Sequence, residues 1–141
     1  MGLVYLKVGS MNTAISKPPE HFELLEGYAC FKPIGAPCLS EVVRLISQAV
    51  AYAYDHKIPR LLVNTSGLTG IYQPTIMQRY DATREWASQA RGFVKAALFA
   101  RREVIDLTNF GDSVAFNAGL CGKAFTSEAE ALAWLLDDET G

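Results

Sequence analysis

Two short apolar runs limit what this chain can become. Leu61-Leu62-Val63, and Val94, Ala96, Ala97, Leu98 and Phe99 within Phe93–Ala100, each lie between segments of helical period. A strand wetted on one face alternates apolar and polar residues, whereas one covered on both faces reads as a continuous run. Buried strands alternating with helices imply a mainly parallel sheet joined by right-handed crossovers.

The flanking segments supply those helices. Leu39, Val42, Val43, Ile46, Ala49, Val50 and Ala53 recur at three and four, which marks one face of a helix reaching about His56, with Ser40 as its expected N-cap. His56 and Lys57 at its end suit the helix dipole, and Ile58-Pro59 stops it. Pro74 reads as the first turn of a second helix that runs to about Ala90, with Ile76, Tyr80, Thr83, Ala87 and Ala90 inward and Gly92 beyond its end. Asp106 caps an expected third helix from Leu107 to about Ala118, closed by Gly119. Ser127 and Glu130 form an S-x-x-E capping box ahead of Ala131, Leu132, Trp134 and Leu135. At the front, Phe22–Leu25 and Tyr28–Phe31 flank Glu26-Gly27 and read as a hairpin. A last short strand is expected at Lys123–Phe125. The order is β-β-α-β-α-β-α-β-α.

Composition narrows the class. The chain has 141 residues, half of them hydrophobic, which suits one domain with its own core and excludes a disordered chain. A net charge of −2 supplies no global basic field for nucleic acid. No apolar run approaches the roughly 20 residues of a membrane helix, so no membrane insertion is expected. Residues 1–19, ending in the polar Ser16-Lys17-Pro18-Pro19 break, read as a flexible extension, with Met1 and Met11 both candidate starts; residues 20–141 read as the single domain. The segment lacks a secretory cleavage site and Leu6 breaks a myristoylation pattern. A cytoplasmic protein is expected.

Metal and redox signals are weak. Cys30, Cys38 and Cys121 are odd in number and form no C-x-x-C pair, and His21 and His56 lie near no cysteine motif. Three small packing residues in a reducing compartment account for the cysteines. No metal, no cofactor and no catalytic residue is assigned: there is no P-loop, dinucleotide fingerprint, nucleophile elbow or Cys–His pair at a recognisable spacing.

The most suggestive segment is Asn64-Thr65-Ser66-Gly67-Leu68-Thr69-Gly70, at the carboxyl end of a buried strand, where open α/β sheets place ligands. Hydroxyls and glycines leading to a helix suit an anion, or can accept a phosphoryl group; the same residues are also what any strand-to-helix turn uses. Asn64, Thr65, Ser66, Gly67, Tyr72 and Gln73 form the candidate ligand or partner loop. Between Arg79 and Arg102 six basic residues face two acids, so Arg79 and Arg84 mark a candidate basic surface for an acidic partner, with a solvated helix face as the plain alternative. Residues 127–141 hold five acids and no base. That asymmetry can steer partners or self-association into a homodimer. Trp86 falls off the inward face of its helix, and exposed it would mark an interface.

These residues carry a resemblance. Two strands, a helix and then Leu61-Leu62-Val63-Asn64-Thr65-Ser66-Gly67-Leu68 resemble the STAS domains, the fold of the SpoIIAA-type anti-sigma-factor antagonists. Phe125-Thr126-Ser127-Glu128-Ala129-Glu130-Ala131-Leu132-Ala133-Trp134-Leu135 is similar to the F-x-s-x-x-E-A-l-x-W-L close of the SpoIIAA-like STAS/SEC14 branch. The resemblance covers residues 20–136. It implies a SpoIIAA-like STAS fold: a mainly parallel four- to five-stranded sheet with an N-terminal hairpin and about four helices. By position Asn64–Leu68 matches the family's D-l-S-G-l turn, although Thr65-Ser66-Gly67-Leu68 also looks like its phosphorylated D-S-S-G-L motif. The phosphoacceptor position then falls near Gln73-Pro74-Thr75, where the family's Asp and Ser are absent and only Thr75 carries an aliphatic hydroxyl. The resemblance implies a non-enzymatic regulatory module that binds a protein partner, with Thr75 or Ser66 as phosphoacceptor. Its alternative is a small-molecule or lipid carrier, from the SEC14-related side of the branch.

Overall fold

The computed structural model describes residues 18–70, 74–101 and 120–137. Five strands, β1 (Phe22–Leu25), β2 (Tyr28–Phe31), β3 (Arg60–Asn64), β4 (Lys95–Phe99) and β5 (Gly122–Phe125), form one sheet in the order β1-β2-β3-β4-β5. The β1–β2 pair is antiparallel, with Leu25 opposite Tyr28, and Gly27 takes φ +89 in the turn, a conformation that costs glycine little. The other pairings are parallel. Helix α1 (Leu39–Asp55) links β2 to β3, and α2 (Ile76–Ala90) links β3 to β4. Right-handed crossovers that step one way along a sheet put their helices on one face. The opposite face is covered by α3 (Glu128–Leu135). The α/β class, the mainly parallel sheet and the N-terminal hairpin match the SpoIIAA-like expectation. Three helices are described; the one expected from Leu107 to Ala118, with its Asp106 and Gly119 signals, lies outside the described residues. So does the N-terminal extension up to residue 17.

The strands divide their side chains between two cores. Leu61 and Val63 join Ala29, Phe31, Ile46, Ala49, Val50 and Ala53 beneath the α1/α2 layer. Leu62 and Ala97 instead meet Ala131 and Leu135 of α3. Period-two alternation along a strand produces this split, and it explains why β3 reads as unbroken apolar sequence. Leu61 and Leu62 are 0 % and 1 % exposed, and each side chain buried this fully stabilises by about 1.5–3 kcal/mol.

Helix boundaries depart from the sequence reading where caps compete. α1 is capped at Cys38 rather than Ser40, with no side-chain bond to the helix. Pro37 ahead of it fixes an extended entry, and the Ser40 hydroxyl lies 3.3 Å from the Cys38 sulfur. Cys38 is therefore exposed and not a packing residue; Cys30 and Cys121 are half-buried. At the other end Lys57 adopts φ +59, and Lys57 and Ile58 donate backbone N–H groups to the Tyr54 and Ala53 carbonyls, a Schellman closure without glycine. Pro74 lies before α2, not in its first turn, because Thr75 is the N-cap of a full capping box with Gln78. The inward stripe of α2 includes Ala82, Thr83 and Ala90. It also takes in Trp86, which the sequence reading put off the face: the ring packs on the core and its Nε1–H donates to the Val43 carbonyl at 3.2 Å. The strand read from Phe93 is shorter, since Arg91 and Gly92 both have positive φ and turn the chain before Lys95. Ser127 caps α3 as expected, accepting the Glu130 N–H at 3.3 Å.

Lys95 is the unexpected residue. It belongs to the basic stretch read as surface, yet it is 7 % exposed. Its Nζ donates to the carbonyls of Trp134 (2.8 Å) and Asp137 (2.9 Å) and lies 4.4 Å from the Trp134 ring centroid. The last carbonyls of a helix lack intrahelical donors and carry partial negative charge, so a cation there is stabilised. Lys95 thus ties the end of α3 to the start of β4. Lys95→Met keeps the stem and removes the donors; hydrogen bonds to charged groups contribute about 1.5–3 kcal/mol, and urea unfolding should lose stability of that order.

Candidate functional site

The carboxyl edge of the sheet is built on Asn64. Alternation turns this last residue of β3 toward the α3 face, and it is 3 % exposed. A buried amide needs partners on both its oxygen and its nitrogen. Its Oδ1 accepts the Ser66 amide (3.0 Å) and the Ser66 hydroxyl (2.7 Å), forming an Asx turn. Its Nδ2 donates to Glu128 Oε2 at 3.3 Å, at the start of α3. Thr65 donates both its amide (2.8 Å) and its hydroxyl (3.0 Å) to the Phe99 carbonyl at the end of β4. Leu68 is buried in the α1/α2 core, and its carbonyl accepts Arg101 Nη2 at 2.7 Å.

The loop after β2 closes against this turn. Gly35 and Leu68 form a parallel bridge, with Gly35 N–H donating to the Gly67 carbonyl and Thr69 N–H to the Gly35 carbonyl. Gly67 is required by space: a Cβ there would stand 2.9 Å from Ile34 Cγ2 and 3.2 Å from the Pro33 carbonyl oxygen. Ile34 remains 59 % exposed above it, and Met77, in the first turn of α2, is 63 % exposed. Because α2 starts on the side where β3 ends, both apolar side chains belong to the carboxyl edge.

Thr75 and Ser66 differ in access. Thr75 is exposed; its Oγ1 accepts the Gln78 N–H at 3.1 Å while Gln78 Oε1 accepts the Thr75 N–H at 2.8 Å. Ser66 is half-buried and its hydroxyl hydrogen is committed to Asn64. Tyr72 and Gln73 lie outside the described residues. Arg79 is half-buried, with its carbonyl accepting the Thr83 hydroxyl, whereas Arg84 is exposed 5.8 Å from the Tyr80 ring centroid. Five positions on a helix separate two side chains by about 140°, so Arg79 and Arg84 do not share one face. The structure therefore brings together Asn64, Thr65, Ser66 and Gly67 and adds Glu128, Ile34, Met77 and Arg101. The Thr75-x-x-Gln78 box was readable in the sequence. Ile34, inside a Pro-Ile-Gly loop, had no periodic signal.

Two thiols respond to their surroundings in opposite senses. Burial pushes the Cys30 thiol up, with Glu128 and Glu23 adding to the effect. The Ser40 hydroxyl, and after it the Glu41 amide, pull the Cys38 thiol down. His56 stacks on Tyr52 with ring centroids 3.9 Å apart, and its Nδ1 lies 3.1 Å from the Tyr52 carbonyl. Among the described residues no group of three or more His, Cys, Asp or Glu side chains could hold a metal ion. None of the described helices is long and apolar enough to cross a membrane. An open groove of about 560 Å³ runs between α1 and α2, bordered by Ser40, Arg44, Gln48, Glu85 and Gln89 with Val43 and Ala51.

No family model matches the chain, and no curated protein matches it. Among solved structures it is similar to an uncharacterized protein of the DUF3478 family with a SpoIIAA-like fold from Shewanella loihica PV-4. The identity is 19 % over 81 % of this chain and 90 % of that chain, with a TM-score of 0.44. The likeness assigns no residue of the site.

Two outcomes test this geometry. Gly67→Ala should destabilise by about 1–3 kcal/mol, the usual cost of overpacking, and Ile34→Gly in the same chain should recover part of it, as read by denaturant midpoints. Thr75→Ala should cost about 0.5–2 kcal/mol through the lost cap, while Thr75→Asp should retain most of the stability, as read by thermal unfolding.

Proposed function

We propose that this chain is a non-enzymatic, STAS-like regulatory module that binds a protein partner along the carboxyl edge of its sheet. The working edge is the loop Asn64–Thr75, the neighbouring Ile34 and the first turn of α2. The observation that carries this reading is the exposure of Ile34 against a turn pinned by Asn64 and Thr65, with Met77 also exposed in the first turn of α2. A pinned backbone has little conformational freedom left to lose when a partner covers the side chains it carries. Thr75, exposed at the N-cap of α2, is the phosphoacceptor this reading favours over Ser66, whose hydroxyl is engaged. A phosphoryl group there adds about −1.5 to −2 charges at the edge, enough to change partner affinity. The module acts in the cytoplasm as one domain over residues 20–141, as a monomer or homodimer. The alternative, a small-molecule or lipid carrier, calls for an enclosed apolar cavity, whereas the α1/α2 groove of the described residues is open to solvent.

A photo-crosslinker at Met77 of the full chain, expressed in its own host, should label one defined protein. The Ile34→Asp, Met77→Asp double variant should weaken that purified complex at least about tenfold, the range expected when central apolar anchors are lost. Leu24→Asp, at an exposed position of β1, should leave it unchanged. A complex insensitive to the double substitution but lost with Leu24→Asp would overturn the proposal.

A further inference from the structure

The two ends of the Asn64 amide serve different parts of the molecule. The oxygen holds the Ser66 turn, and the nitrogen reaches 3.3 Å to Glu128 at the first residue of α3. Ser66 belongs to the loop over the α1/α2 layer, whereas α3 covers the other face of the sheet. The planar amide cannot rotate to improve one set of bonds without spoiling the other. At 3 % exposure the Asn64 amide itself has little access to water, although Glu128 is exposed and Ser66 half-buried.

We propose that Asn64 is a coupling residue, so that a change in the Ser66 turn, by modification of the hydroxyl or by a partner drawing the loop away, is felt at the first turn of α3. The route is short and contiguous: Ser66 Oγ–H and N–H to Asn64 Oδ1, then Asn64 Nδ2–H to Glu128. Freed of Ser66, the Asn64 side chain re-orients toward other partners, and Glu128 loses its donor. Among the described residues, the Ser127 cap then remains to hold the beginning of α3. The consequence is a second surface, on the face opposite α1 and α2, whose order reports the state of the carboxyl edge. The coupling does not rest on the partner-binding reading, since it is a property of the chain by itself.

Amide hydrogen exchange on the full chain without partner tests it. Ser66→Ala removes one of the two bonds on Asn64 Oδ1 at a half-buried position. It should speed exchange of the Glu130 and Ala131 amides by about threefold or more, the size expected of residues sharing one network. In a Glu128→Ala background, where the link is already cut, the same substitution should leave these amides unchanged. Thr69→Ala, which disturbs the loop only at Gly35, should not reach α3 in either background. Should Ser66→Ala leave Glu130 and Ala131 unaffected, or speed them equally with and without Glu128, the coupling is overturned. Ser66 is half-buried and Glu128 exposed, so their variants stay folded, whereas a substitution of the buried Asn64 would disturb the core directly.

Discussion

Burial of β3 on both faces governs the rest of this structure. Leu61 and Val63 point to one helix layer and Leu62 to the other, and the strand has parallel partners on each side. A one-residue slip would exchange these sets and drive Asn64 into the larger core, where its amide would lose its partners. The apolar pattern therefore fixes the register. The register in turn decides that the strand ends with Asn64 facing α3 and that the turn after it crosses the end of β4.

The two faces are held by different means. The α1/α2 face has a broad apolar core, with Phe31, Val50, Leu61 and Val63 buried and Trp86 packed against it. The α3 face has a small one, built from Leu62, Ala97, Ala131 and Leu135 with half-buried aromatic neighbours. A helix of two turns cannot dock on so little apolar area as securely as α1 does. Polar contacts supplement it at both ends, Asn64 with Glu128 at the start and Lys95 with the Trp134 and Asp137 carbonyls at the finish.

Much of this was legible in the sequence, and the misses have two causes. The hairpin around Gly27, the α1 face, β3 and the Ser127 cap follow from periodicity and turn chemistry, both local properties. Some of the misses depended on distant chain. Lys95 read as a surface cation because its acceptors lie about forty positions away. Trp86 was misread locally, since it stands three positions after Thr83 and four before Ala90 on the inward stripe; the Val43 carbonyl that its indole meets belongs to another helix. At the candidate site the Asn64–Gly67 turn was foreseen, while Glu128, Ile34 and Met77 join that edge only through the tertiary fold. Pro74 was misplaced for a local reason: two start signals overlapped, and the Thr75–Gln78 box prevailed over the proline.

The Lys95 clamp also bears on how the molecule is made. β4 is synthesised well before Trp134 and Asp137, and an ammonium group is costly to bury without acceptors. Until α3 arrives, the Lys95 ammonium is best satisfied by water. When the helix docks, the same cation becomes its anchor. One residue thus stays hydrated until α3 docks and then serves as its fastening.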